Sequence, residues 1–286
     1  MFKTIMVQTT GHSTDDAAFE TAYLVARLFN AHIEGMHVSP DWAHLAMEAA
    51  ATDLEGAVPS GELFAVLEGE AKKVTWRAHR HFSEFCRRWR VPVAETAPGP
   101  HTVSAAWHEV KGDSVEMTLK QGRFHDLAVF ARTPERRVLE AAILGTGRPV
   151  LIAPKKAPEN LAPTVAVAWK DTADASRALM AAMPVLIKAD KILVLTAEEG
   201  KGQQATINSA ERVVRYLAWH GLSGEAHYVP HSERSGAEAL VQTALDNRAD
   251  LLVMGGYGHS RLREFVLGGV TREILRDCPL PVFMFH

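Results

Sequence analysis

The sequence predicts an α/β chain: two tandem domains, each a five-stranded parallel sheet flanked by helices. Three observations lead there. Short apolar runs rich in Val, Ile and Leu alternate with stretches of helical periodicity along the whole chain, the pattern of parallel strands buried on both faces by crossover helices. The same order of elements restarts after residues 154–163, a stretch of Pro, Lys, Glu and Asn that reads as a linker. Direct echoes support duplication: Asp126-Leu127-Ala128-Val129-Phe130 mirrors Asp250-Leu251-Leu252-Val253-Met254, and Arg148-Pro149-Val150-Leu151-Ile152 mirrors Leu280-Pro281-Val282-Phe283-Met284. At 286 residues the chain has room for two domains, placed at 1–154 and 164–286 with a linker over 155–163.

In order, residues 3–9 read as a strand, 15–29 as a helix with Phe19, Ala22, Tyr23 and Ala26 at helical spacing, and 32–38 as a second strand. From 39 to 61 the chain is irregular or weakly helical, broken by Pro40, Gly56 and Pro59. A long amphipathic helix is expected over 62–89, carrying Val66, Val74, Phe82 and Phe85. A short strand is expected over 91–96, a helix over 101–120 interrupted near Gly112-Asp113, and a buried strand over 126–131. Pro134 suits the first turn of the next helix, and a strand over 150–153 closes the first half. The second half reads as strand 165–169, helix 174–187, strand 191–197, helix 205–220, strand 225–229, helix 235–247, strand 251–254, helix 269–276 and strand 282–285. The long segment 39–75 is an extra of the first half, read as a solvated helical extension, with a private pocket or a partner surface as the alternative.

Chemistry concentrates in residues 251–286. An apolar strand passes directly into Gly255-Gly256-Tyr257-Gly258, and after a polar stretch Gly268-Gly269 stands at the mouth of a helix. Bare glycines let backbone N–H groups approach a ligand, and a helix N-terminus adds unpaired donors with partial positive charge. An anion, most naturally phosphate, is the expected guest. The first half has Ala131-Arg132-Thr133-Pro134 in place of the glycines and is shorter there, so it is not expected to hold a nucleotide.

The spacing of Gly255, two residues, Gly258, nine residues, Gly268 and a small residue resembles the nucleotide-binding signature of the universal stress protein (UspA-like) family. The resemblance implies Rossmann-like, adenine nucleotide α-hydrolase-like domains, with the first and fourth strands of each sheet as neighbours. Carried onto this chain, it implies that Ala168, Trp169, Lys170 and Thr196 border an adenosine, beside the strand end at Met254. Gly255, Gly258, Gly268, Gly269, Val270 and Thr271 would then hold phosphates and ribose. Two positions depart from the family pattern. Gly269 stands where Ser or Thr is usual, which removes a hydroxyl but keeps the N–H. Lys170 stands where binders usually carry Asp, and it can serve a phosphate as a point charge. His259 and Arg261, on the arm between the glycine pairs, are further candidates to neutralise phosphate.

Composition narrows the classes. A formal charge of −3 offers no global attraction to nucleic acid or an anionic membrane. Cys86 and Cys278 lack metal or disulfide spacing, the fourteen histidines are scattered, and no apolar run approaches a membrane span or a signal peptide. Gly200-Lys201-Gly202 is not a P-loop, and Gly256-Tyr257-Gly258 follows the fourth strand rather than the first, with Arg261 where a dinucleotide fingerprint needs Gly. The expectation is a cytoplasmic stress-response or signalling protein that binds ATP, with or without Mg²⁺, or a related adenine nucleotide in its C-terminal domain. No catalytic residue is assigned, and at most slow ATP hydrolysis is expected. The halves are expected to pair as an intrachain pseudo-dimer through strands 150–153 and 282–285, with further homodimerisation open. The alternatives are a nucleotide-free interaction or small-molecule-sensing protein, or an ATP-using enzyme of PP-loop type. The last would want a Ser-Gly-Gly-type loop after the first strand, where Ala168-Trp169-Lys170-Asp171-Thr172 stands.

Overall fold

The computed structural model describes residues 1–42, 61–96, 99, 102–133, 136–197, 202–230, 235–256 and 269–286, with the side chains of 61–64 set aside. The first half runs β1 (Thr4–Thr9), α1 (Thr14–Phe29), β2 (His32–Ser39), α2 (Gly61–Trp89), β3 (Ser104–Lys111), α3 (Ser114–Gly122), β4 (Leu127–Phe130), α4 (Arg137–Gly145) and β5 (Val150–Ile152). The second runs β6 (Thr164–Ala168), α5 (Ala173–Leu186), β7 (Lys191–Ala197), α6 (Gln203–Trp219), β8 (Gly224–Val229), α7 (Gly236–Asp246), β9 (Leu251–Gly255), α8 (Gly269–Asp277) and β10 (Val282–Phe285). The strands form a single sheet in the order β3-β2-β1-β4-β5-β10-β9-β6-β7-β8.

Every neighbouring pair is parallel except the central one, where β5 and β10 run antiparallel with Leu151 opposite Phe283. That single reversal points the carboxyl ends of the two sets of strands toward opposite edges of the sheet. The repeat is visible at the hydrogen-bond level. Asp126 Oδ2 accepts from the N–H groups of Lys3 and Thr4 at 2.7 and 3.1 Å, and Asp250 Oδ2 accepts from Thr164 N at 2.8 Å. In each half one aspartate thus fixes the start of the first strand against the fourth.

Alternation along the strands feeds two cores. Ile5, Val7, Leu127, Val129, Val165 and Val167 join one cluster with helices α1, α2, α5 and α6. Met6, Ala128, Phe130, Ala166 and Leu252 join the other with α4, α7 and α8. Phe2 reaches from the first half to Phe283 of the second at 6.2 Å between ring centroids. Burying such a side chain contributes on the order of 1.5–3 kcal/mol.

Two expectations are corrected. The region expected to be helical from 101 to 120 instead contains strand β3, and only Ser114–Gly122 is helix; His101 itself lies outside the described residues. Ser104-Ala105-Ala106-Trp107-His108-Glu109-Val110-Lys111 carries residues at home in a helix, but the open edge of β2 offers an eight-residue parallel register from His32–Ser104 to Ser39–Lys111, and such pairing overrides local propensity. Gly112 ends the strand, and Asp113 starts α3 by accepting from Val115 N and Glu116 N. The strand expected over 91–96 reduces to a bridge between Val93 and Ala105, since β3 already occupies the edge beside β2. Pro134 and most of the stretch between residues 39 and 61 lie outside the described residues; the helix after β4 begins at Arg137.

Candidate nucleotide site

A parallel sheet directs each strand's carboxyl end, and the N-terminus of the helix that follows, to the same edge. In the second half the carboxyl ends of β6, β7 and β9 border a cavity of about 800 Å³, within the roughly 300–1,000 Å³ range of small-molecule sites. β6 lies between β9 and β7, and the chain leaves it for β7 on one side while β9 leads to β10 on the other, so the cavity sits at a switch in strand order.

Ala168, Trp169, Lys170, Thr196, Met254, Gly255, Gly269, Val270 and Thr271, nine of the eleven residues singled out in the sequence, line this cavity. Gly258, Gly268, His259 and Arg261 lie outside the described residues. Trp169 N donates to Leu195 O at 2.7 Å, extending the sheet by one bond, and its indole Nε1 donates to Ser209 Oγ at 2.9 Å. The ring packs against the core beside α6, so one flat residue is pinned at the rim rather than left to swing. Thr172 N donates to Lys170 O at 2.7 Å, turning the chain, and Thr172 Oγ1 caps α5 by accepting from Ala175 N at 3.3 Å. Thr196 and Thr271 are buried, whereas Gly269 and Val270 are exposed at the start of α8.

Gly255 needs its bareness for packing. A Cβ there would stand 2.6 Å from Ala175 N and from the carbonyl carbon of Asp174, so the first turn of α5 can lie across the end of β9 only over a glycine. Gly269 is the contrasting case, with nothing within 4 Å of a Cβ position; its backbone is open to a ligand.

Three helix N-termini reach the cavity: α5 at 172–175, α7 at Gly236 and α8 at 269–271. Their unpaired N–H groups and aligned dipoles favour an anion. Ser235 joins two of these ends, accepting from Glu238 N at 3.1 Å and donating to Glu273 Oε1 at 2.7 Å. Among the described residues the cavity carboxylates are Asp171 and Asp174. Asp174 is engaged by Arg177 at 2.9 Å and His286 at 3.6 Å. Sequence reasoning missed Thr172, Ser209, Gly236 and Leu240 at this rim; the helix-cap pattern of Thr172 and Ser235 was the available signal.

The matching loop of the first half is closed from within. By strand register Thr9, Thr10 and Gly11 stand where Trp169, Lys170 and Asp171 stand in the second half. There the buried Asp15 carboxylate accepts from Thr10 N at 3.0 Å, Thr10 Oγ1 at 2.9 Å and Gly11 N at 2.8 Å. Burial pushes the Asp15 carboxyl up from its ordinary value, against the pull of those bonds. Helix α2 finishes the closure: Val74 O would lie 2.8 Å from a Cβ on Gly11, and Arg77 Nε donates to Gly11 O at 3.3 Å. Among the described residues, no group of three or more His, Cys, Asp or Glu is placed to hold a metal ion, and no helix is long and apolar enough to cross a membrane.

Residues 183–286 match the model of the universal stress protein family. The chain is 30% identical over 183 residues to a universal stress protein of Synechocystis sp., covering 62% of this chain and 60% of that protein. It is 32% identical over 56 residues to one of Methanocaldococcus jannaschii, covering 20% and 31%. The matched stretches thus span less than two thirds of either relative. Among solved structures, a universal stress protein from Archaeoglobus fulgidus superposes with a TM-score of 0.68 at 15% identity, over 99% of this chain and 97% of that one. A functionally unknown protein from Pseudomonas aeruginosa superposes at 0.56, also at 15% identity, over 99% and 92%. The chain thus resembles UspA-like proteins: residues 183–286 match the universal stress protein family, and the fold is that of its solved members.

Proposed function

We propose that this stress-response protein binds one adenine nucleotide, ATP or a close relative, in the cavity of its second half, and that binding rather than turnover is the functional event. The observation that carries the reading is the convergence of three helix N-termini on a cavity of about 800 Å³ rimmed by Trp169 and Lys170. In this reading the open backbone at 269–271 and the Lys170 ammonium take the phosphates, and the recess between Ala168, Thr196 and Leu240 takes the nucleoside. The cavity's size and its open N-termini fit such a ligand. Mg²⁺, when bound, would neutralise phosphate charge; Asp171 is the cavity carboxylate placed for that task.

The tandem division at 1–154 and 164–286, joined by 155–163, belongs to the same proposal. The first half is the degenerate copy, because Asp15 and α2 already occupy the loop that a ligand would use. A cytoplasmic location and association into a homodimer complete the reading. The test is mass spectrometry of small molecules released from purified protein, followed by calorimetric titration of stripped protein. An adenine nucleotide in the extract, rebinding at one site per chain, is the expected result. A different ligand class, or no adenine-nucleotide binding, overturns it in favour of a nucleotide-free sensor.

A further inference from the structure

We infer that Arg132, from the first half, is a positioning residue for the second-half cavity: it grips helix α8 at its C-terminal carbonyl groups and so sets where residues 269–271, at the other end, meet the ligand. The inference deepens the nucleotide reading and rests on it for its affinity arm.

Arg132 follows β4 and is 7% exposed. Its Nη1 donates to Ile274 O and Leu275 O, both at 2.6 Å, across 142 and 143 residues of sequence. These are two of the carbonyl groups that a helix end leaves without an intrahelical partner, and a cation there is also favoured by the helix dipole. The remaining guanidinium nitrogens, Nε and Nη2, are buried without a hydrogen-bond partner. Arg132 is therefore desolvated for the sake of one nitrogen and two carbonyls, an arrangement with no slack. Two other cations meet the same helix: first-half Arg136 Nη1 donates to Arg272 O at 3.4 Å, and Lys155, the first linker residue, pairs with Asp277 at 3.0 Å. Both contacts lie in solvent-exposed surroundings and so contribute little. Arg132 is the buried grip.

Helix α8 has 9 residues, a rod of about 13 Å whose last turn meets the first half while its first turn lines the cavity. Too short to bend far, it carries a shift at one end to the other. A second contact crosses between the halves beside the site. A Cβ on Gly256, directly after β9, would lie 3.2 Å from Ile143 Cγ2 of α4. The first half thus touches both the exit of β9 and the end of α8. In strand register Arg132 holds the first-half position that Gly256 holds in the second, so equivalent positions do opposite work: a side chain that reaches across and a bare backbone that admits a neighbour.

The experiment compares wild type with Arg132→Met, Arg132→Lys and, as a control, Val25→Ala in the first-half core, by hydrogen exchange of the ligand-free full chain and by calorimetric titration with ATP well below each melting temperature. Losing a buried charge-assisted grip is expected to speed exchange across 273–277 and to weaken ATP binding, each by about tenfold. Exchange in α7 should be unchanged, and Arg132→Lys should recover part of both effects. Val25→Ala should lower the melting temperature without changing affinity. Unchanged exchange at 273–277 overturns the grip. Faster exchange with wild-type affinity, or an equal loss of affinity in Val25→Ala, overturns the positioning role. If Arg132→Met does not fold, Arg132→Lys decides by the same two readings. If wild type itself binds no ATP, the nucleotide reading fails, and the positioning role falls with it while the exchange arm still judges the grip alone.

Discussion

At Gly255 the difference between reading a residue and seeing its neighbours is sharpest. In sequence it was one of several glycines around an anion; in the fold its missing side chain is what lets the backbone of α5 lie 2.6 Å from a would-be Cβ. Gly255→Ala should therefore destabilise the protein by about 1–3 kcal/mol through overpacking, measured as a lower urea midpoint. A wild-type midpoint would show that α5 has room to retreat. The cavity's carboxylates lead to a second expectation. Asp174 is held by Arg177 and His286, which among the described residues leaves Asp171 as the cavity carboxylate to place a metal or a water. Phosphate release from ATP should stay far below the roughly 1 per second of ordinary enzymes, with or without Mg²⁺. Turnover at that rate, abolished by Asp171→Asn, would make this protein an enzyme. Trp169 and Thr196 were named through the family resemblance, which puts them at the carboxyl ends of neighbouring strands, and both line the cavity. Asp15 and Arg132 were not. Their roles depend on which loop folds back on a carboxylate and on a contact across 142 residues, and no local pattern encodes either.

Among elements, nearly every strand and helix of the second half was legible, because buried parallel strands are continuous apolar runs and their helices carry a regular face. Strand β3 was the failure. It lies at the sheet's edge, its outer residues are half-buried or exposed, and only its register on β2 makes it a strand. Beside that edge, Glu34 of β2 pairs with His125, which precedes β4. The His125 Nε2 lies 3.5 Å from Glu34 Oε2. Burial disfavours the His125 imidazolium, but the bonds to Glu34 and Gln121 O outweigh it and raise its pKa above the usual 6.5. The hydrogen bond from His125, ahead of the opposing cost of burial, lowers that of Glu34 below 4.5. The histidine's stabilising share is complete below pH 6.5 and is lost as pH rises through its folded value. The glutamate's is complete above pH 4.5 and is lost as pH falls through its own. The half-buried His32 and the buried His37 shift downward, chiefly by desolvation, and work in the opposite sense. A difference measurement separates them. The melting temperature of wild type minus that of His125→Gln should be larger at pH 6 than at pH 8. An equal difference at both would mean that the pair does not form.

For the whole molecule, two similar sets of five strands meet at one antiparallel seam, β5 on β10, and their equivalent loops have diverged. One is sealed by Asp15 and α2, and the other opens into a cavity that takes three helix N-termini. The likeness of the two sets of strands was foreshadowed by the sequence echoes, and the half that keeps its glycines was plain in sequence. The seam between strands 150–153 and 282–285 was expected from the resemblance; the sealing needed three dimensions, because loop closure is long-range. We propose that a nucleotide binds in the second half and not in the first. Photolabelling of the full chain with 8-azido-ATP, with and without excess ATP, followed by peptide mapping, tests it most directly. Label competed by ATP should fall on peptides around 168–172 and 196–197; label on peptides within 1–154, or label that ATP does not displace, would contradict the account.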